Sequence, residues 1–176
     1  MGNLYEFIIQ FFITSGVVLL VFNRIFEKKM KKIEAKLEPI KKLAIDINNI
    51  RIEKYPKLTK MINTTRGFCK TIVIESRNYD FNKFNLMIKE LQELYNESST
   101  YLEIDKVNEQ VYNYTVGFED VFKNLIYYNS KIEEGNIESA NETKGVIENS
   151  ITKIRADGKL INTSLSEILK KNSLIN

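Results

Sequence analysis

Residues 4–47 read LYEFIIQFFITSGVVLLVFNRIFEKKMKKIEAKLEPIKKLAIDI. From Phe7 to Phe22 no residue carries a charge. Extended from Leu4 to Phe26, the run reaches the roughly twenty residues that a bilayer-spanning helix requires, at the cost of taking in Glu6, Gln10, Asn23 and Arg24. A secretory signal would place Lys or Arg before the run and a small-residue cleavage site after it. Here Glu6 precedes the run, and the small pair Ser15 and Gly16 lies in its middle. The expectation is an uncleaved transmembrane helix over residues 1–26, with a buried core helix as the competing reading. After the run, Arg24, Lys28, Lys29, Lys31, Lys32, Lys36, Lys41 and Lys42 outnumber Glu27, Glu34 and Glu38. Basic residues close to a span stay on the cytoplasmic side. That predicts the N-terminus outside and a cytoplasmic C-terminal domain. The single thiol, Cys69, suits a reducing compartment.

The apolar run is not uniform. Asn3, Glu6, Gln10 and Thr14 share about an 80° arc of one helix face. Val17 and Val21 continue that side. Polar groups facing lipid are costly, so such a face turns toward protein or water. Three readings stay open: a solvated outer interface, a seam between copies, or the wall of a pore formed by Glu6, Gln10, Thr14, Val17 and Val21.

Beyond the run, Phe26, Met30, Ile33, Leu37, Ile40, Ala44 and Ile47 alternate in steps of four and three, a heptad seam. The seam predicts a basic membrane-proximal helix over 27–54, kinked at Pro39. It packs either on its own subunit or on other copies. Pro56 is expected to start a fresh helix, and residues 55–176 a helical bundle domain. Its apolar stripes are Leu58, Met61, Ile62, Thr65, Cys69, Ile72 and Val73, then Phe84, Met87, Leu91 and Leu94. Val107, Val111, Tyr114, Phe118, Val121, Leu125 and Tyr128 form a third, following Ile104. Ile147, Ile151, Ile154, Ile161, Leu165 and Ile168 form the last. Turns are expected at Arg77–Asp80 and Asn96–Ser99. Capping boxes are expected at Thr100 with Glu103 and at Ser130 with Glu133, and a break at Gly158. The fold class is therefore all-α: an N-terminal membrane helix continuing into a bundle of about four to five helices.

Composition narrows the chemistry. With 43% hydrophobic and 28% charged residues the chain is no disordered tail. Two Pro and seven Gly are too few turn residues for a many-stranded β fold. Histidine is absent, which excludes an imidazole base and histidine-ligated metal within one chain. One Cys excludes an intrachain disulfide and a thiolate zinc cluster. No phosphate-cradling glycine loop or nucleophile elbow occurs, and neither a cofactor nor enzymatic activity is expected. Residues 24–70 carry net charge +9 and residues 71–176 net −5. Anionic headgroups account for the basic half; no RNA-binding motif accompanies it, and direct RNA binding is not expected. Arg77 and Asn82 in RNYDFN echo the arginine-to-histidine spacing of the helical ribonuclease domains called HEPN, with Asn in place of His. Loss of the imidazole removes the proton shuttle, so a stabilised loop is the expected role.

In its span FFITSGVVLLVF, its basic continuation NRIFEKKMKKIEAKLEPIKK and its degenerate RNYDFN, the chain resembles the small membrane accessory proteins of type VI-B CRISPR systems. The resemblance covers the whole chain in layout. It implies a ring-shaped homo-oligomer in the bacterial inner membrane that opens a pore and supports an RNA-guided effector nuclease in antiphage defence. The competing function is a non-catalytic, single-pass anchor or adaptor for a cytoplasmic partner.

Overall fold

The computed structural model describes the backbone of residues 2–77 and 79–173, and the side chains of residues 22–77 and 79–171. The described residues are all-α. Helix α1 spans Gly2–Thr71, α2 Phe81–Ile104, α3 Asn108–Glu133 and α4 Ile137–Ser173, with a single 3-10 turn at Ile74–Ser76. The chain divides into two compact units, Met1–Asp46 and Ile47–Asn176.

In the second unit one apolar core draws on every helix. The C-terminal part of α1 supplies Tyr55, Leu58, Met61, Ile62 and Cys69. Helix α2 adds Phe84, Ile88 and Leu91, α3 adds Val111, Phe118, Val121 and Leu125, and α4 adds Ala140, Ile147, Ile154, Ile161 and Leu165. Phe84 is the aromatic hub: it stacks on Phe118 at 4.8 Å between ring centroids and meets Phe68 edge-on at 5.0 Å. The expected stripes are buried at nearly every position. Ile72, Leu94, Ile151 and Ile168 are half-buried against the core, and Val73 and Ile104 are exposed.

Four expected boundaries are corrected. Pro56 starts no new helix, because α1 continues through it to Thr71. The proline loses one backbone bond, but the turn around it is clamped. Tyr55 is fully buried and donates its hydroxyl proton to Asp105 Oδ2 at 2.5 Å, and Arg51 Nε donates to the same oxygen at 2.9 Å. Arg51 Nη2 completes the fork on Asp105 Oδ1. The pair is half-buried, and a hydrogen bond to a charged group contributes about 1.5–3 kcal/mol, which offsets much of an interior proline's cost.

Asn96–Ser99 is likewise no turn, and Thr100 no cap; both lie inside α2. Ser98 is buried, and the Ser99 hydroxyl bonds back to Asn96 O at 3.1 Å, the local bonding by which serine is tolerated within a helix. The chain turns instead at Asp105–Val107. Val107 N–H reaches Leu102 O at 2.9 Å and Lys106 N–H reaches Glu103 O at 3.1 Å, a Schellman closure. Its left-handed position is Lys106, with φ 59°, where glycine is usual. Buried Val107 and Leu102 supply the accompanying apolar contact.

Ser130 and Glu133 end α3 rather than cap α4. Gly135, φ 72°, takes the left-handed position there, and Asn136 Oδ1 accepts from Ser139 N–H at 3.1 Å to start α4. Gly158 makes no break, since α4 runs through it. Its lack of a side chain serves close packing instead. A Cβ at 158 would collide with Arg66 Cδ and lie 2.8 Å from Tyr114 Cε2. Arg66 can swing away, but Tyr114 is 1% exposed and hydrogen-bonded. Gly158→Ala is therefore expected to destabilise the bundle by about 1–3 kcal/mol despite alanine's better helix propensity, as read by chemical denaturation. A stabilised variant would show that the three helices part without cost.

Candidate functional site

The strongest candidate surface lies on α1 in the first unit. Of the expected seam, Phe26 is 57% exposed, Met30 41%, Ile33 49%, Leu37 43% and Ile40 62%. Ala44 is exposed and Ile47 half-buried. After a step of eight from Ile47, a four-and-three spacing resumes in a shifted register at Tyr55, Leu58, Ile62, Thr65 and Cys69, which are buried. Glu27, Lys31, Glu34, Glu38 and Lys41 stand to one side of the stripe; Lys29, Lys32 and Lys36 stand to the other. A shallow groove with Lys31, Glu34, Leu37, Glu38 and Lys41 in its wall follows the first side. A second, with Ile25, Lys28, Lys29 and Lys32, follows the other. Among the described residues none from Arg24 to Asp46 forms an ion pair within the chain.

Glu6, Gln10, Thr14, Val17 and Val21, the expected pore face, belong to the stretch whose side chains lie outside the described residues, and the expected span lies there with them. Among the described residues no helix is long and apolar enough to cross a membrane.

Arg77 sits on the connection between α1 and α2, and Asn82 at the start of α2. Arg77 adopts φ 49° and closes the 3-10 turn through its N–H on Ile74 O at 3.4 Å. The Tyr79 hydroxyl donates to Ile74 O, and the Asp80 side chain caps α2 by accepting from Lys83 N–H at 2.9 Å. Both Arg77 and Asn82 are exposed, Asn82 within the first turn of α2. The turn is thus held by its backbone and by Tyr79 and Asp80, and the two residues of the degenerate signature decorate its surface. No cluster of His, Cys, Asp or Glu among the described residues is arranged to hold a metal ion.

A buried polar knot, not anticipated from the sequence, joins α1 and α3, and exposed hydrogen bonds beside it tie α1 to α4. Thr65 Oγ1 and Tyr114 OH lie 2.6 Å apart, and Tyr114 OH donates to Ile62 O at 3.1 Å. Above Gly158, Arg66 Nε donates to Arg155 O at 3.2 Å, and Asn162 Nδ2 donates to Asn63 Oδ1 at 2.8 Å. Burial pushes the neighbouring Cys69 thiol up to about 12, against a small opposing pull from Arg155. Burial also raises Tyr55, Tyr79 and Tyr114, and the Asp105 carboxylate adds to the rise at Tyr55. A thiol so placed is packing rather than a nucleophile. The only sequence signal for the knot was an intrahelical threonine and a glycine on apolar stripes.

Compared with protein-family models, with curated proteins and with solved structures, the chain matches none.

The four raised groups set the alkaline behaviour. Each is neutral in the bundle and ionises more readily once unfolded, so its stabilising effect is complete below the ordinary values of 9.0 for the thiol and 10.0 for the phenols. It is lost as pH rises through the raised values. Thermal melts should hold steady from pH 7 to the ordinary thiol value and fall beyond it, and Cys69→Ala should flatten the first part of that fall. A melting temperature independent of alkaline pH would mean that these groups reach water in the folded state.

Proposed function

We propose that the chain is a membrane-anchored, non-catalytic helical protein whose copies assemble through the Phe26–Ile47 stripe into a ring that opens a pore. The observation that carries this reading is the exposure of that stripe directly after the apolar run. Exposed apolar faces of this extent mark interaction surfaces. Copies anchored in one bilayer are already parallel, and confinement raises their effective concentration. On the same reading the bundle is cytoplasmic. Glu6, Gln10 and Thr14 line a polar mouth, and Val17 and Val21 form an apolar constriction that gates by dewetting. The resemblance in layout to the accessory proteins of type VI-B CRISPR systems supports a role beside an RNA-guided effector, where such a pore would depolarise infected cells. With the imidazole missing and Arg77 and Asn82 on an open turn, cleavage of RNA forms no part of the mechanism.

A plain membrane adaptor is the second reading. Tyr112, Val116, Ile126 and Tyr127 support it: all are exposed on α3, away from the positions that face the core. They offer a docking face on the bundle itself.

Two measurements separate these. The mass of the detergent-solubilised particle should be a multiple of the 20.6 kDa chain, and Ile33→Glu with Leu37→Glu should return it to one chain with the bundle's circular dichroism intact. A monomeric wild type would end the ring reading. In cells, Val17→Ser with Val21→Ser should wet the constriction and depolarise the membrane. Normal potential in cells holding an inserted, oligomeric double variant would favour the adaptor.

A further inference from the structure

Residues 47–54 open the second unit, and they are held to it differently from the rest of α1. None of them is fully buried: Ile47 and Ile50 are half-buried, while Asn49, Ile52 and Glu53 are exposed. None belongs to the apolar core, which α1 enters only at Tyr55. What fastens this stretch is polar. Arg51 forks onto the Asp105 carboxylate, with Nε on Oδ2 at 2.9 Å and Nη2 on Oδ1. Lys54 Nζ pairs with Glu97 Oε2 at 2.7 Å. The Glu97 side chain is 53% exposed, and a surface pair of that kind adds little. The main fastening is therefore Asp105, in the turn between α2 and α3.

Pro56 lies immediately after the fastened stretch. Its ring nitrogen has no proton to give to Ile52 O, so α1 lacks one ladder bond where polar holding passes into core holding. A proline so placed lets a helix bend. The fastened state also carries costs. Lys106, next to Asp105, is held at φ 59°, a conformation that side chains rarely adopt. Asn48 Oδ1, three residues before Arg51, and Asn108 Oδ1, three residues after Asp105, are buried without a hydrogen-bond partner in the chain. So is Ser98 Oγ, next in the chain to Glu97. Buried polar groups ordinarily find partners, and release of the stretch would give these three access to water.

We propose that Arg51 and Asp105 form a releasable latch on α1, with Pro56 as its hinge. Closed, the latch lets the bundle hold α1 from Ile47 onward. Open, residues 47–54 leave α2 and α3 while Leu58–Cys69 stay in the core. A clamp that serves only stability would join two core-held stretches; this one holds a stretch that the core does not, across a joint where the helix can bend. Because α1 runs unbroken from Gly2 through Pro56, whatever draws Asp105 away from Arg51 acts on the leading part of that helix. The α2–α3 turn is thus the place where a cytoplasmic signal would enter. The latch belongs to a single chain and stands whatever covers the Phe26–Ile47 stripe.

Spin-label distances within one chain test the hinge. One pair of labels goes on Asn49→Cys and Glu103→Cys in the full-length Cys69→Ala chain, diluted in unlabelled chain; both sites are exposed. A second pair, on exposed Lys60→Cys and Glu90→Cys, reports on the core-held part. The latched chain should give one narrow distance at each pair. Asp105→Asn should add a population at the first pair displaced by about 5 Å, the arc that a lever of seven residues, about 10 Å long, sweeps through a bend of about 30°. The second pair should not change. Arg51→Gln, which spares the Tyr55–Asp105 bond, should act alike, and circular dichroism checks that each variant folds. Pro56→Ala added to either should return most of the displaced population, because an unbroken helix keeps residues 47–54 in line without the charge. An unchanged first pair in the folded variants would overturn the inference. Equal broadening of both pairs, or loss of the fold in both variants, would make the contact a plain structural clamp and overturn it too. Failure of Pro56→Ala to restore the distance would remove the hinge.

Discussion

An apolar face on α1 needs a cover, and both units follow from how that need is met. From Tyr55 to Cys69 the cover is intramolecular: Leu58 and Ile62 are fully buried with residues of α2, α3 and α4. Burying one such side chain is worth about 1.5–3 kcal/mol, so this short stretch organises the bundle. The Arg51–Asp105–Tyr55 cluster and the Thr65–Tyr114 knot fix its rotation and depth. From Phe26 to Ala44 the steps are likewise of four and three, and the residues are exposed. The cover that Tyr55–Cys69 has within the chain, Phe26–Ala44 lacks among the described residues.

Magnitudes assign separate roles to the stripe and its flanks. Several half-exposed Ile, Leu, Met and Phe side chains represent a drive of several kcal/mol once covered. Surface ion pairs contribute about 0–1 kcal/mol each and weaken with salt. In the proposed assembly the stripe would supply the affinity, and the charges beside it would add little. Attachment to a bilayer through the preceding apolar run would act in the same direction, since it aligns the copies before they meet.

Periodicity made the bundle core readable in advance. Phe84, Val111, Phe118, Val121, Leu125, Ile147 and Leu165 all lie where three-and-four spacing puts them. Connections were harder to read, because local turn chemistry misled in both directions. Pro56 and Asn96–Ser99 look like breaks yet lie inside helices, where tertiary contacts and serine back-bonding absorb them. The true turn at Asp105–Val107 carries lysine instead of glycine at its left-handed position, so it gives no signal. The seam was visible as a spacing, and its exposure is what the structure adds. The Gly158 contact depends on Arg66 and Tyr114, which are far from it in sequence, and one chain read in order cannot reveal that.

The central claim, that other copies cover the stripe, is tested most directly by spin labels at Ile33→Cys in a Cys69→Ala background, with the chain in membranes. Parallel, in-register copies would bring position 33 of neighbouring helices within about two helix diameters, roughly 20 Å. Strong dipolar broadening that fades on dilution with unlabelled chain is the expected result. A sharp spectrum from a mobile label, identical before and after dilution, would contradict it.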